Sequence, residues 1–545
     1  MTVNLPGLQD FVATLAADGE PGLAVGVYLD GELACSATAG CAVPEHGVPV
    51  SEHTAFDIAS VSKHMTSACI LLLARDGLVD LDGDIHATLP ELALAQPVTL
   101  RQCLTHTAGL RDYFSLCDIA GIPTLGMGEG RFLDLVAGQA ELDFPPGSSF
   151  SYSNTGYALA AVLARRVTGD SLAKLAAERV FGPLGMAATH FRDDVSLLVP
   201  RLAGGYLTGP GGSGFRRLDV TEEVVGDGAV VTTLADLASW HSFMTSGSVL
   251  GSDLRDGLLA RQRLTDGTEI GYALGLESVD LEGNPAWWHS GSWAGYRAAV
   301  IYLPGQRAGV SVLANRNDRY PSHVAGAVAT ALVTGGDPAT CYAAQSGIPA
   351  PPEQARTEAP GVAGLWHEPD QDVFVEFAVD DGQVTCREHG QELRFVLGTD
   401  GSWHGIGGAA AATYTQQARH LISSWGLSAR PESRFERAAP VPPQEPTAPL
   451  PVGIFRNEEL RAHAEVSPDK HGAAQIVIGL AAPRLLVPAG PGVWRSTPAG
   501  GALTVRLADD GRGLLLSVPG ARRVRFDPVD SPAGPGLIRG LTGAR

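Results

Sequence analysis

The sequence predicts an α+β fold in which an antiparallel sheet flanked by helices is followed by two small antiparallel β-barrels. Three observations predict it. Strand patterns lie at both ends of the first 340 residues, with helical patterns between them. Two proline-rich stretches divide the rest of the chain, and the two pieces that they delimit resemble one another. A chain of 545 residues is also too long for one ordinary core, so several domains are expected.

The N-terminal region begins with an amphipathic pattern near residues 7–17, which predicts a helix, and continues with a hairpin. The hairpin reads GLAVGVYL–DG–ELACSATAG, in which Asp30-Gly31 is a strong turn signal. Residues 288–314 read as strands of a meander that precede an Ala/Val-rich helix at about 322–334. Strands from both ends of the region therefore form one antiparallel sheet.

The proline-rich stretches set the expected domain boundaries. One covers residues 346–360 (SGIPAPPEQARTEAP) and the other covers 438–451 (AAPVPPQEPTAPLP). This composition is typical of extended linkers. The predicted domains are therefore 1–340, 358–437 and 450–530.

The last two domains share a repeat. Gly364-Leu365-Trp366 matches Gly453-Ile454-Phe455, and Trp403 matches Trp494, in each case about 90 residues further along the chain. Both pieces contain short alternating runs separated by D-G or D-D-G turns, which predict antiparallel strands. We therefore expect a duplicated small β-barrel or sandwich, neither copy of which carries a catalytic pattern.

The composition bears on partners and location. The net charge of −20 opposes binding to nucleic acid or to an anionic membrane. No apolar run approaches the roughly 20 residues that a membrane helix needs, and no basic segment precedes an apolar stretch at the N-terminus. The seven cysteines are scattered and form no C-x-x-C pair, as expected for reduced thiols. These observations favour a cytoplasmic location.

Ser60 and Lys63 stand three residues apart in FDIASVSKHMTSACILLL, at residues 56–73. Lys63 is one of only three lysines among 39 basic residues. A serine hydroxyl needs a neighbouring base before it can attack a carbonyl, and a buried lysine can be that base, whereas arginine effectively never loses its proton. The pair therefore indicates a nucleophile and its base, although an N-cap serine beside a solvated lysine would give the same pattern.

Tyr152 and Asn154 lie two residues apart in FPPGSSFSYSNTGY, at residues 144–157. Side chains with this spacing on a short loop can point the same way. The phenol could then relay protons, while the Asn154 carboxamide holds a substrate carbonyl and the lysine. The structural alternative is a core tyrosine beside a turn asparagine.

His289 begins a third motif, His-Ser-Gly-Ser, on a predicted strand. Gly291 would let a substrate approach the strand, and the Ser292 N–H could pair with the Ser60 N–H to form an oxyanion hole. A lone histidine is usually structural, so the motif gains weight only from the other two.

The three motifs S-x-x-K, Y-x-N and H-x-G, in this order and spacing, resemble those of the penicillin-recognising serine hydrolases. That family contains class C β-lactamases, D-alanyl-D-alanine carboxypeptidases, esterases and D-aminopeptidases. Residues 104–110 (LTHTAGL), Pro146-Gly147 and 226–240 (GDGAVVTTLADLASW) also fit, and Thr233 is placed to cap a helix with Asp236 three residues on. The resemblance implies a β-lactamase/transpeptidase-like domain.

The same resemblance implies an acyl-enzyme mechanism. Ser60 would attack a carbonyl and give its proton to the Lys63/Tyr152 pair, and the sequence leaves open which of the two is the principal base. Tyr152, helped by His289, would return the proton to the leaving group. Water would then cleave the acyl-enzyme by the reverse relay.

Within the family, the chain most resembles the bacterial D-stereospecific aminopeptidases. The resemblance rests on His289 in place of a lysine, on the stretch 110–113 (LRDY) and on the two C-terminal β-barrels. It implies removal of an N-terminal D-residue from short peptides or amides. The chain departs from those enzymes in reading H-S-G rather than H-G-G. Residues 478–490 also look shorter and more apolar than their loop that enters the active site, with Arg484 as the only charge.

Other readings of the sequence remain open. A carboxylesterase, a β-lactamase or a DD-carboxypeptidase could use the same fold, and a non-catalytic sensor would belong to a different class. The sequence contains no G-x-S-x-G elbow and no H-E-x-x-H cluster, so we predict neither an α/β-hydrolase nor a metal site, and we expect no cofactor. The expected partner is a small molecule or short peptide, and the oligomeric state, a homodimer included, is left open.

Overall fold

The computed structural model describes residues 5–209, 212–218, 220–346, 362–369, 372–380, 383–388, 391–397, 402–406, 412–417, 420–425, 433–438, 450–497 and 502–529. Both proline-rich stretches therefore lie largely outside the described residues, and the predicted domain boundaries stay a prediction. The glycine-rich run at 209–214 is also only partly described.

Eleven α-helices occur in the described residues. They are α1 (Leu8–Ala13), α2 (Lys63–Arg75), α3 (Leu100–Leu104), α4 (Tyr113–Ala120), α5 (Glu129–Ala137), α6 (Asn154–Thr168), α7 (Leu172–Ala176), α8 (Leu234–Ser246), α9 (Ser252–Leu259), α10 (Pro321–Thr334) and α11 (Pro338–Ser346). Helix α1 is shorter than predicted, because the Thr14 hydroxyl bonds to the Phe11 carbonyl and the chain continues in turns. None of the described helices combines the length and apolar character needed to span a bilayer.

The strands of the N-terminal region are β1 (Leu23–Leu29), β2 (Glu32–Ala39), β3 (Cys41–Val43), β4 (Val48–Pro49), β5 (Phe56–Asp57), β6 (His190–Phe191), β7 (Tyr206–Thr208), β8 (Phe215–Arg217), β9 (Val230–Thr232), β10 (Gln262–Arg263), β11 (Glu269–Ile270), β12 (Glu277–Leu281), β13 (Asn284–Trp293), β14 (Tyr296–Leu303) and β15 (Ala308–Ala314). The main sheet has the order β12-β13-β14-β15-β1-β2. Each pair in it is antiparallel, and β1 joins β15 from the far end of the region. The predicted sheet, hairpin and meander are thus confirmed.

The main sheet is covered on both faces. Alternate residues of β1 pack in opposite directions, with Val25 and Val27 against α1 and α10, and Ala24 and Tyr28 in the core that contains α2 and α8. This period of two is what a sheet between two helical layers requires. Helix α2 is buried along almost its whole length, so its first turn is fixed in position beside the sheet.

Two closed eight-stranded barrels follow. The first contains β16 (Gly364–Glu368), β17 (Val373–Asp380), β18 (Gln383–Glu388), β19 (Gln391–Leu397), β20 (Ser402–Ile406), β21 (Ala412–Gln417), β22 (His420–Trp425) and β23 (Ser433–Arg437). The second contains β24 (Gly453–Asn457), β25 (Ala462–Pro468), β26 (Ala474–Ile478), β27 (Arg484–Gly490), β28 (Val493–Ser496), β29 (Thr504–Leu507), β30 (Leu514–Val518) and β31 (Ala521–Pro528). Trp403 and Trp494 both lie on the fifth strand of their barrel and are buried, which agrees with the repeat seen in the sequence.

The second barrel packs against the start of α4. The Asp112 N–H donates to the Gly520 carbonyl (2.7 Å) and the Ser115 hydroxyl donates to the Pro519 carbonyl (2.6 Å). At the other end of α4, Gly121 approaches Ile478 so closely that an added Cβ would lie 2.2 Å from the Ile478 carbonyl oxygen. Backbone of the barrel thus meets backbone of the sheet-containing region at both ends of one helix.

Candidate active site

Ser60 lies in a 3-10 turn, Ala59–Ser62, that leads directly into α2. Ala59 has φ 47°, a left-handed conformation that a residue with a Cβ rarely adopts. The Asp57 carboxylate holds this turn by accepting a hydrogen bond from the Ala59 N–H (2.7 Å). Ser60 therefore precedes the α-helix, and its side chain is partly exposed to a cavity.

Lys63 is fully buried and bonds to Ser60, as the sequence predicts. Its Nζ donates to Ser60 Oγ (3.1 Å), to Asn154 Oδ1 (2.8 Å) and to the Asp227 carbonyl oxygen (2.6 Å). These three contacts surround the amine and fix its position beside Ser60. The alternative of a solvated lysine is therefore wrong.

The Asp227 carbonyl is positioned by the segment Gly226–Val230, which lies along the first turn of α2. The Thr66 hydroxyl donates to the Gly226 carbonyl (2.7 Å), and the Val230 N–H donates to Ser62 Oγ (3.0 Å). Gly226 has φ 107°, which favours glycine. The residues GDGAVV of the stretch 226–240 therefore serve to place the Asp227 carbonyl next to Lys63. Further along the same stretch, Thr233 caps α8 by accepting from the Asp236 N–H (3.1 Å), as predicted.

Asn154 links Lys63 to the Asp112 carboxylate. In the sequence, Asp112 stood out only as part of the stretch 110–113 (LRDY) that resembles the D-aminopeptidases. The Asn154 N–H and Nδ2 both donate to Asp112 Oδ1, at 2.7 and 2.9 Å. These two bonds orient the carboxamide so that its oxygen faces Lys63. Burial raises the pKa of Asp112, while the bonds from Asn154 and the charge of Lys63 lower it.

Tyr152 lies above Lys63, with Nζ 4.9 Å from the centre of its ring. The ring packs on His106, with 4.2 Å between ring centres. His106 Nδ1 accepts from the Ser153 N–H (3.1 Å), so its neutral tautomer carries the hydrogen on Nε2. His106, in the middle of LTHTAGL, thus fixes the loop on which Tyr152 stands, a role that motif spacing alone did not reveal.

His289 is buried on β13 and held from two sides. Its Nδ1 donates to the Ser290 carbonyl (2.6 Å), so in the neutral ring Nε2 accepts from the Tyr272 hydroxyl (3.1 Å). The Tyr152 and His289 rings lie 6.2 Å apart. Tyr272 is a further residue that the sequence did not indicate, because nothing in its local pattern distinguishes it from a core tyrosine.

Gly291 and Ser292 bring β13 alongside the Ser60 turn. A Cβ on Gly291 would lie 2.1 Å from the Ile58 carbonyl oxygen, so the glycine allows the strand to pack against the chain that precedes Ser60. The sequence had attributed this glycine to the approach of a substrate. Ser292 is exposed and lines the same cavity as Ser60.

The cavity next to Ser60, here called the Ser60 cavity, has a volume of about 190 Å³. It is lined by the polar residues Ser60, Asn154 and Ser292, the carboxylates Asp57, Glu222 and Asp227, the aromatic residues Tyr113, Phe114 and Trp293, and by Ala59, Val220, Val224, Gly228 and Ala229. Burial raises the pKa of Asp57 and that of Asp227 to about 6. Residues 478–490 do not contribute to this lining.

The model of the beta-lactamase family matches residues 8–335, which is more than half of the chain. The chain belongs to the beta-lactamase family. Its curated relatives include a D-aminopeptidase of Cereibacter sphaeroides (strain KD131), 27% identical over 533 residues that cover 93% of this chain and 96% of the relative. A D-aminopeptidase of Gluconobacter oxydans is 29% identical over 351 residues, which cover 64% of this chain and 63% of that protein. The resemblance to D-aminopeptidases drawn from the sequence is confirmed.

Solved structures agree with this beta-lactamase-family assignment. The octameric penicillin-binding protein homologue from Pyrococcus abyssi has a TM-score of 0.54 and 20% identity, over 76% of this chain and 96% of its own. At this identity the likeness shows the fold alone. The predicted β-lactamase/transpeptidase-like fold is therefore confirmed.

Proposed function

We propose that this member of the beta-lactamase family is a serine hydrolase that removes an N-terminal D-amino acid from short peptides or amides through an acyl-enzyme. The hydrogen bond from Nζ of the fully buried Lys63 to Ser60 Oγ is the observation that carries the proposal. A surface serine and lysine would have no reason to be held this way. The substrate class rests on the relatives that are D-aminopeptidases.

In the proposed first step, Ser60 Oγ forms a bond to the scissile carbonyl carbon and its proton passes to the Lys63/Tyr152 pair. The negative charge that develops on the carbonyl oxygen is stabilised by the Ser60 and Ser292 N–H groups. Both residues line one cavity, so a single bound carbonyl can reach them. The bond to the leaving amine then breaks as Tyr152 delivers a proton to its nitrogen.

In the second step, a water molecule gives its proton to the same pair and attacks the ester carbon. The bond to Ser60 Oγ breaks, and the serine regains its proton. Asn154 keeps Lys63 in place throughout, because Asp112 holds its carboxamide. His289 and His106 are positioning residues in this scheme, since their rings lie against Tyr152.

The first prediction concerns stereochemistry and the nucleophile. We expect release of p-nitroaniline from D-alanine p-nitroanilide, with much slower release from the L-isomer. The Ser60→Ala variant should lose activity by about a thousandfold or more, because Ser60 is the cavity hydroxyl that is bonded to Lys63. Steady-state kinetics of the two proteins on both isomers measure these outcomes.

Two results would overturn the proposal. Full activity in Ser60→Ala would remove the serine from the chemistry. Hydrolysis of p-nitrophenyl acetate, lost in Ser60→Ala but accompanied by no cleavage of either anilide, would favour a carboxylesterase.

Assembly and location stay predictions. Analytical ultracentrifugation of the full chain tests the homodimer considered from the sequence, and cell fractionation tests a cytoplasmic location.

A further inference from the structure

Three carboxylates form one wall of the Ser60 cavity. Asp57, Glu222 and Asp227 all line it, and their exposed fractions are only 3%, 8% and 7%. We call these three residues the acidic wall. Because they lie in the cavity that contains the nucleophile, any substrate of the reaction must come close to them.

Each carboxylate of the acidic wall uses one of its two oxygens in a hydrogen bond within the described residues. Within the described part of the chain, Glu222 accepts one hydrogen bond, from the Thr221 N–H to Oε2 (3.1 Å), which leaves Oε1 without a partner. Asp57 uses Oδ1 for the Ala59 N–H, and Asp227 uses Oδ2 for the Tyr113 hydroxyl (3.1 Å). These residues line the cavity, so a ligand that brings hydrogen-bond donors can reach their remaining oxygens there.

The neighbouring cations Lys63 and Arg192 donate their hydrogen bonds within the described residues to other acceptors. The three Lys63 Nζ contacts go to Ser60, Asn154 and a backbone carbonyl. Arg192 lowers the pKa of Asp57, but its one hydrogen bond within the described residues goes to the Val195 carbonyl (2.9 Å). The cavity therefore has an excess of negative charge, which attracts a cation.

The reaction geometry says where such a cation would lie. In a substrate with a free N-terminus, the α-nitrogen is separated from the scissile carbonyl carbon only by Cα, that is, by two bonds of about 1.5 Å each. When Ser60 attacks that carbon, the ammonium must lie in the same cavity. At about 190 Å³ this cavity is smaller than the roughly 300 Å³ at which typical ligand pockets begin, which fits a single residue.

The C-terminal loop does not take this role. Gly479 packs against the end of α4, where an added Cβ would lie 2.7 Å from the Ala120 carbonyl oxygen. The Arg484 guanidinium is paired with the Asp118 carboxylate on the outer side of α4. The segment 478–490 thus braces the helix, and the partner of an ammonium group must be sought in the cavity itself.

We propose that Glu222 binds the free α-ammonium group of the substrate, and that Asp57 and Asp227 complete a negatively charged subsite for it. This inference rests on the proposed function, since it assigns the group that recognises the substrate's N-terminus. The subsite makes the enzyme select substrates with an unblocked amine over N-acylated ones. The aromatic residues Phe114 and Trp293 of the same cavity are left to face the side chain.

The test compares D-alanine p-nitroanilide with its N-acetyl derivative in the wild-type protein, in Glu222→Gln and in Glu223→Gln. Glutamine keeps the shape of Glu222 and removes its charge. Glu223 is the exposed neighbour and does not line the cavity, so its variant is the matched control. The quantity measured is the ratio of kcat/KM for the free substrate to that for the acetylated one.

We expect Glu222→Gln to lower this ratio about tenfold or more, mostly through KM, since one charge-assisted hydrogen bond is lost. Glu222→Asp, which keeps the charge, should retain more of the ratio, and Glu223→Gln should keep the wild-type ratio. An unchanged ratio in Glu222→Gln, or an equal fall in Glu223→Gln, would overturn the inference.

A failure of the proposed function looks different. If the wild-type protein cleaves neither anilide but hydrolyses p-nitrophenyl acetate, the peptidase assignment falls. The subsite is then tested by inhibition of ester hydrolysis by D-alanine amide. Weaker inhibition of Glu222→Gln than of Glu223→Gln supports the subsite, and equal inhibition overturns it.

Discussion

At the scale of single residues, the position of Lys63 depends on two groups that are not themselves in the predicted motifs. The Asp227 carbonyl accepts directly from Nζ, and the Asp112 carboxylate orients the Asn154 carboxamide that accepts the second hydrogen. With these two contacts fixed, the buried amine stays in one place and its remaining contact is with Ser60 Oγ. The two neighbours thus determine where the Lys63 amine points, beside the proposed nucleophile.

A pH dependence of stability follows from Asp57. Burial is the main reason that its pKa rises to about 6, and the charges of Asp227 and Glu222 add to the rise while Arg192 opposes it. The folded protein therefore binds more protons than the unfolded chain between about pH 4 and pH 6. The contribution of Asp57 to stability is complete below pH 4 and declines as the pH rises to 6, by about 3 kcal/mol for a shift of about two pKa units.

The Asp57→Asn variant checks this sign, because asparagine does not titrate. Urea unfolding at pH 4 and pH 7 should show that the variant gains on the wild-type protein at the higher pH. A difference in unfolding free energy that is the same at both pH values would contradict the burial of an ionisable Asp57.

At the scale of elements, helix α4 joins the candidate active site to the second barrel. Its first residues, Tyr113 and Phe114, line the Ser60 cavity, and the Asp112 N–H that precedes it donates to the barrel. Its last residues meet Ile478 and Gly479 of the barrel. A displacement of the barrel would therefore move one wall of the cavity.

Gly121→Ala tests this contact, with Gly126→Ala as the control. Both glycines have a positive φ, 65° and 68°, so an alanine strains the backbone at either position. Only at Gly121 would the new Cβ also meet the barrel, 2.2 Å from the Ile478 carbonyl oxygen, whereas Gly126 has no atom within 4 Å. We expect Gly121→Ala to lose about 1–3 kcal/mol more than the control in thermal unfolding and to lose more activity. Equal losses would show that the barrel contact adds nothing to stability.

Local patterns predicted the elements well where one physical rule decides the outcome. The alternation in β1 and β2 and the Asp30-Gly31 turn determined the hairpin, and the S-x-x-K spacing placed Lys63 next to Ser60. The acidic wall could not be predicted in this way. Nothing in the local sequence marks Asp57, Glu222 and Asp227 as neighbours, and only the pairing of β5 with β9 brings Asp57 near the other two. The Gly291 contact likewise depends on a strand more than 200 residues away from the Ser60 turn.

At the scale of the whole molecule, a buried ion pair joins the two barrels. Asp372 of the first barrel is fully buried and accepts from Arg506 Nε (2.9 Å) and from the Ser517 hydroxyl (2.8 Å), both in the second barrel. Burial alone would raise the pKa of Asp372, but hydrogen bonds from His367, Arg506 and Ser517 hold it below its usual range. The two barrels are thus fastened to each other, and the second one is also fastened to α4.

Arg506→Gln should destabilise the pair of barrels by about 3 kcal/mol, because it leaves the Asp372 charge buried without its cation. Calorimetry of the full chain should show the barrel transition at a lower temperature. Arg512→Gln changes an exposed arginine of the same barrel and should have little effect. If the two variants unfolded alike, the ion pair would not hold the barrels together.

The hydrogen bond from the Asp112 N–H to the Gly520 carbonyl also limits which C-terminal barrels could replace the present one during evolution. Gly520 stands three contacts from Lys63, through Asp112 and Asn154. A recombined gene that exchanged the last barrel would need to supply a carbonyl at that position and a glycine small enough to let it approach. The last barrel is therefore not a freely interchangeable module, and active chimaeras should be found only among those that keep this tight turn.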